Sequence, residues 1–143
     1  MLTVVERVML LHNVDVFSEV PTEELAFLAG IVEEKSFKAG ERIYKEHDAS
    51  DSMYVVVAGT VRLHKDEVDV STAKTNEAFG TWALFDDEPR MVAATAASDT
   101  TVLRIDKEAF IDLLADNVQI TRGVLKAIVG RLRRVLARIG GSS

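Results

Sequence analysis

Phe79-Gly80-Thr81-Trp82-Ala83-Leu84-Phe85-Asp86-Asp87-Glu88-Pro89-Arg90 is the stretch that decides how this chain is read. A glycine opens it, the next four residues suit one helical turn, and Pro89-Arg90 closes it. Such a turn aims unpaired backbone N–H groups outward, where an anion can sit. An arginine just past the turn can close on the same anion bidentately. On residue types alone a second reading stands beside this one: a glycine-bounded connection whose Arg90 pairs with Asp86, Asp87 or Glu88.

Around this stretch, residues 33–106 read as strands. Turn signals recur at Ala39-Gly40, Asp48-Ala49-Ser50-Asp51, Ala58-Gly59, Asp66-Glu67, Asn76 and Ser98-Asp99. Between them lie β-branched or alternating segments, Val61-Arg62-Leu63-His64 being the cleanest alternation. Many short strands in about 70 residues favour a barrel or jelly roll over a parallel sheet.

Both ends read as helices. Val4, Val5, Val8, Met9 and Leu11 form an apolar stripe on a first helix. Thr22 suits an N-cap, Glu23 and Glu24 suit the positive end of the dipole, and Leu25, Leu28, Ala29 and Val32 repeat with the spacing of one buried face. Asp106 can cap a helix that buries Phe110, Leu113 and Leu114, and Asn117 can end it in a left-handed conformation. In the last helix Leu125, Ile128, Leu132, Val135 and Ile139 form a heptad seam.

The 143 residues are 48% hydrophobic and carry a net charge of −6, enough for one domain with its own core. The absence of cysteine excludes disulfides, thiolate nucleophiles and Cys-ligated zinc. The longest stretch without a charged residue is the ten residues Ser52–Val61, too short to cross a bilayer. Glu6 and Arg7 interrupt the apolar N-terminus, which therefore does not read as a signal peptide. Charge is unevenly placed: residues 1–117 hold 23 acids and 11 bases, a net −12, whereas 118–143 hold 6 bases and no acid. The acidic balance argues against nonspecific nucleic-acid binding by the whole chain.

The motifs, taken in order, resemble those of the cyclic nucleotide-binding domain family, which includes catabolite activator protein, protein-kinase regulatory subunits and cyclic-nucleotide-gated channels. That family's phosphate-binding cassette reads approximately Phe-Gly-Glu-x-Ala-Leu, a short variable stretch, then Pro-Arg and small residues. Phe79-Gly80, Ala83-Leu84 and Pro89-Arg90 match it. Val16-Phe17-Ser18-Glu19-Val20-Pro21, Phe37-Lys38-Ala39-Gly40-Glu41-Arg42-Ile43, Asp51-Ser52-Met53-Tyr54-Val55-Val56 and Gly59-Thr60-Val61 resemble flanking motifs, so the likeness runs from residue 1 to about 134.

The resemblance implies a mainly β fold with flanking helices: an eight-stranded β-roll (jelly roll) with N-terminal helices, a short phosphate-cassette helix and two C-terminal helices. It implies one domain over 1–139, with N-terminal helices at 1–32, the roll at 33–106 and lid-and-relay helices at 107–139, leaving 140–143 as a flexible tail. The site is expected at Phe79, Gly80, Thr81, Trp82, Ala83, Leu84, Pro89, Arg90, Met91 and Val92. Arg90 would anchor the phosphate, Ala83 and Leu84 would supply backbone donors, and Gly80 would allow close approach. The implied ligand is cAMP or cGMP, with no metal. The implied function is a non-catalytic, cytoplasmic sensor that couples a small anionic ligand to movement of its C-terminal helix, and through it to an output domain or protein. The alternative is a dimerisation or protein-interaction domain with a vestigial pocket, self-associating through residues 120–139. Neither a transmembrane segment nor direct nucleic-acid binding is expected, and the chain reads as a possible piece of a longer, even membrane-attached, protein.

Four departures bear on the ligand. Thr81 stands where the family has a glutamate that accepts from the ribose 2′-hydroxyl, and losing a charge-assisted bond costs ~1.5–3 kcal/mol, roughly one to two decades of affinity. Met91 and Val92 follow the arginine where the family has small residues; a methionine there either fills the phosphate's space or points into the core. His47 and Asn76 replace family glycines. Asn tolerates positive φ, whereas His47 predicts a reshaped loop.

Other candidates are weaker. His47 with Asp48 and Asp51 reads as a solvated turn rather than a metal site. Glu33-Glu34 and Asp86-Asp87-Glu88 read as solvated charge runs, and no Gly-x-Ser-x-Gly or Walker loop supports an enzyme. Trp82 reads as core packing in the cassette turn before base stacking. The basic last helix packs its seam on its own roll or on a twin helix, binds an acidic partner or anionic headgroups, or binds DNA, in that order of preference.

Overall fold

Turn chemistry cuts the middle of the chain into short strands. The computed structural model describes residues 2–140. It contains β1 (Glu33–Phe37), β2 (Arg42–Tyr44), β3 (Ser52–Ala58), β4 (Val61–Lys65), β5 (Val68–Ala73), β6 (Ala78–Phe79), β7 (Ala93–Ala96) and β8 (Thr100–Asp106). Every break falls on a turn signal of the sequence or on the cassette. The strands form two antiparallel four-stranded sheets, ordered β1-β8-β3-β6 and β2-β7-β4-β5. This is the β-roll the sequence leads one to expect.

Strand β3 shows how one segment serves two cores. Successive side chains of a strand point to opposite faces. Met53 and Val55 join Leu103 and Ile105 of β8 beneath the helices. Tyr54 and Val56 face the inside of the roll with Tyr44, Phe79, Ala94 and Val102. Burial on both faces explains the near-continuous apolar run Met53–Val57.

Helices α1 (Val4–His12) and α2 (Thr22–Ala29), with a 3-10 turn at Asp15–Phe17 between them, precede the roll; α3 (Lys107–Asp116) and α4 (Val118–Arg138) follow it. Helix α2 buries Leu25, Leu28 and Ala29, and Val32 beyond it is buried as well, as its spacing predicts. Asp106 caps α3 by accepting from the Ala109 N–H at 3.1 Å.

Several local expectations are corrected. Only Val8 and Leu11 of the first stripe are buried; Val4, Val5 and Met9 face solvent. Thr3 forms a capping box with Glu6 and so sets the phase of α1. Pro21, not Thr22, occupies the N-cap of α2; its fixed φ of −57° directs the chain into the helix without a side-chain cap. Asn117 is extended, with φ −136°, and its side-chain amide donates to the Leu113 carbonyl at 2.9 Å. The expected tail 140–143 lies outside the described residues except for Gly140.

The last helix is rotated from expectation. It buries Ile120, Gly123, Val124 and Ala127. Gly123 permits this, because a Cβ there would stand 2.8 Å from the Val20 Cα. The seam residues Leu125, Leu132, Val135 and Ile139 are exposed, and only Ile128 packs partly on the core. The seam therefore does not pack on its own roll.

Candidate ligand-binding site

The cassette folds as its residue types require. Gly80 takes φ +68°, a left-handed conformation that leads into a 3-10 turn at Thr81–Leu84. Its missing side chain matters more than its freedom: a Cβ would lie 2.7 Å from Nη1 of Arg90 and 3.4 Å from the Tyr44 hydroxyl. The guanidinium is thus packed onto the backbone of the turn.

Arg90 is held from behind. Its backbone N–H donates to the Asp48 carbonyl and its carbonyl accepts from the His47 N–H, both at 2.8 Å. Its side chain is only 5% exposed. Nη2 donates to the Ser52 carbonyl at 2.7 Å, and Cζ lies 3.9 Å above the Tyr44 ring. Burial pushes the Tyr44 phenol up to about 12, against the pull of the Arg90 charge. Tyr44 also packs with Tyr54 and Phe79, so a wall of aromatic rings fixes the arginine.

The charge on Arg90 is poorly matched. Its nearest carboxylate is Asp51, 3.9 Å from Nη2; that aspartate is exposed and shared with Arg104 at 3.7 Å. Among the described residues the buried Nε–H has no acceptor. The reading in which Arg90 pairs within its own loop is overturned: Asp87 pairs with Lys107 at 2.6 Å, which holds its carboxyl below the usual range, and neither Asp86 nor Glu88 reaches the guanidinium. A buried cation without a close partner is costly, and an anion delivered to it relieves that cost.

Arg90 lines a cavity of about 460 Å³, bounded by Phe79, Gly80, Thr81, Trp82, Ala83, Pro89, Met91 and Val92 of the expected set. Leu84 is the exception; its side chain belongs to the core under the helices. The Ala83 N–H donates to the Gly80 carbonyl at 3.2 Å and is therefore not a free donor. Met91 is 76% exposed, so it neither fills the space beside Arg90 nor enters the core. Trp82 is 50% exposed rather than core, in edge contact with Phe85. His47 adopts φ 72°, and Asn76 the same value, so both take the left-handed geometry a glycine supplies.

Sequence reasoning missed Tyr44, Ser50, Leu63, Ala78, Asp86, Glu88 and Arg131 among the residues that line the cavity. Arg131 reaches it from α4, 41 positions beyond Arg90. Among the described residues no cluster of three potential metal ligands occurs, and no helix is long and apolar enough to cross a membrane.

Two antiparallel sheets forming a β-roll, with a short turn after Gly80 packed against the buried Arg90, define the fold and the candidate site. The family model for the cyclic nucleotide-binding domain matches residues 34–117, and the chain belongs to that family. It is 24% identical over 130 residues to a CRP-like cAMP-activated global transcriptional regulator of Mycobacterium tuberculosis, covering 87% of this chain and 58% of that protein. It is 33% identical over 118 residues to a cAMP-dependent protein kinase type II regulatory subunit of Drosophila melanogaster, covering 79% of this chain and 31% of that one. The crystal structure of the N-terminal domain of a transcriptional regulator from Streptomyces coelicolor A3(2) superposes with a TM-score of 0.83 at 24% identity, over 91% of this chain and 94% of that one, a likeness of fold. The chain thus spans less than two thirds of the two curated relatives.

Proposed function

We propose that this chain is a non-catalytic regulatory domain that binds cAMP or cGMP in the cavity beside Arg90 and passes the occupancy to α4, and through it to an output domain or protein in the cytoplasm. The observation that carries this is the buried guanidinium of Arg90, with one N–H unmatched and its nearest carboxylate 3.9 Å away, on the wall of a cavity that Met91 leaves open. A cyclic phosphate supplies the missing negative charge. Gly80 gives it close approach, Trp82 offers a ring face to a base, and Thr81 offers a hydroxyl where an acid would grip the ribose more tightly. The relatives are described as cAMP-activated and cAMP-dependent, which favours the same ligand class.

The test is thermal melting with and without ligand. A ligand that binds only the folded state raises Tm in proportion to its free concentration over Kd. Stabilisation of the wild type by millimolar cAMP or cGMP, absent in Arg90→Ala, supports the reading. No shift with either nucleotide contradicts it.

A second reading has its own observation. Leu125, Val129, Leu132 and Ile139 form an exposed apolar stripe along α4. It suits a twin helix, which makes a homodimer built on 120–139 the alternative in which the pocket is vestigial.

A further inference from the structure

Exposed apolar surface and unbalanced charge coincide on the outer side of α4. Leu125, Val129, Leu132, Val135 and Ile139 are each between 46% and 75% exposed. At 3.6 residues per turn they share an arc of roughly 120°. The same spacing puts Arg122, Lys126 and Arg133 along one flank of that arc, and Arg131 and Arg138 along the other. Residues 118–143 hold 6 bases and no acid, against a net −12 for the remainder of the chain. The body offsets part of this charge: Lys126 lies 3.6 Å from Glu19, and Arg131 and Arg134 lie 3.9 and 3.5 Å from Asp15. These pairs are long and largely exposed, so each is weak. Among the described residues Arg122, Arg133 and Arg138 pair with no carboxylate.

We propose that α4 docks on an anionic lipid surface, lying in its plane with the stripe from Leu125 to Ile139 seated among the acyl chains and the flanking arginines at the phosphates. An apolar strip bordered on both sides by long basic side chains has the form of an interfacial helix: the stems cover apolar surface while the cationic heads stay at the headgroups. Ile120, Gly123, Val124 and Ala127 keep the opposite side of α4 on the domain. The open side is therefore a shallow strip, which suits a plane better than a groove that wraps a helix. The acidic body is repelled by the same surface, and this turns the molecule with α4 toward the lipid. A second copy of α4 fits less well, because it brings two basic flanks together with no acid in 118–143 to offset them. Duplex DNA matches the cations but leaves the apolar strip in water. Lipid docking and the cavity beside Arg90 are separate features, and either can hold without the other.

Vesicle flotation of the full chain tests this. The vesicles are phosphatidylcholine alone, or phosphatidylcholine with about 25% phosphatidylglycerol, at about 0.05 M and about 0.5 M salt. The protein is expected to float with the anionic vesicles at low salt, and to stay behind with the neutral vesicles or at high salt. Arg133→Gln combined with Arg138→Gln weakens partitioning about 10- to 30-fold, since each basic residue near an anionic surface contributes about fivefold. Leu132→Gln weakens it about tenfold. Lys65→Gln combined with Lys74→Gln, which removes the same charge from exposed positions on the roll, stays within about threefold of wild type. All the variants replace exposed side chains, and thermal melting confirms that each is folded. No flotation with the anionic vesicles, equal flotation with the neutral ones, or an equal loss in the Lys65 and Lys74 control overturns the proposal. Sedimentation showing a dimer that Leu132→Gln dissociates assigns the stripe to a second copy and overturns it as well, as does binding to duplex DNA without binding to vesicles.

Discussion

The guanidinium of Arg90 lies 3.9 Å above the ring of Tyr44, and that contact ties the candidate site to the inner core of the roll. Tyr44 is held neutral there, its phenol pushed by burial up to about 12 from an ordinary 10.0. In the unfolded chain the phenol ionises near its ordinary value, so between about pH 10 and 12 the unfolded state has lost a proton that the folded state keeps. The neutral phenol's contribution is intact below that window, and stability falls as pH rises through it. Denaturant unfolding at about pH 9 and pH 11 measures the loss. Tyr44→Phe, which cannot ionise, is expected to show a shallower fall than wild type; equal slopes would exclude Tyr44 as the source.

Gly80 is the backbone against which the arginine rests. Its φ of +68°, and the 2.7 Å at which an added Cβ would stand from Nη1 of Arg90, mean that Gly80→Ala meets strain and a displaced guanidinium together. The expected loss is ~1–2 kcal/mol, a drop of a few degrees in Tm, with weaker cAMP binding as a second effect. An unchanged Tm would show that the turn relaxes without moving Arg90.

Thr81 lines the cavity where the family resemblance expects a glutamate. Thr81→Glu restores a charged acceptor for the ribose 2′-hydroxyl and is expected to tighten cAMP binding about 10- to 100-fold. The gain is specific to ligands with a free 2′-hydroxyl, so 2′-deoxy-cAMP serves as the control. Equal gains for both, or none, would show that the ribose does not reach residue 81.

Leu132 sits 57% exposed on the outer face of α4. A homodimer along that face gives a ligand-free Tm that rises with protein concentration, and Leu132→Glu abolishes the dependence. A Tm independent of concentration in the wild type removes the dimer reading.

Much of the architecture is legible because punctuation is local. Glycine, asparagine and aspartate mark the strand breaks, and positive φ at Asp66 and Asn76 occurs where the sequence signals turns. The turn after Gly80 is legible for the same reason, whereas a role for Arg90 as an anion anchor is implied only by the family resemblance. What the sequence hides is phase and reach. Helix α4 carries two apolar stripes among its basic residues, and the buried one is chosen by the close approach of Gly123 to Val20, which no periodicity reveals. The partners of Arg90 are equally hidden: Ser52 lies 38 positions away, and Tyr44 comes from another strand. Met91 is ambiguous in the sequence because its hydrophobicity suits a core as well as a pocket wall, and in the structure it is exposed.

Calorimetric titration of the chain with cAMP and with cGMP, repeated on Arg90→Ala, tests the anion site most directly. The buried, under-paired guanidinium predicts submillimolar binding of at least one nucleotide, lost in Arg90→Ala while the variant still melts cooperatively. No heat from either nucleotide, or binding that survives the loss of Arg90, would contradict it.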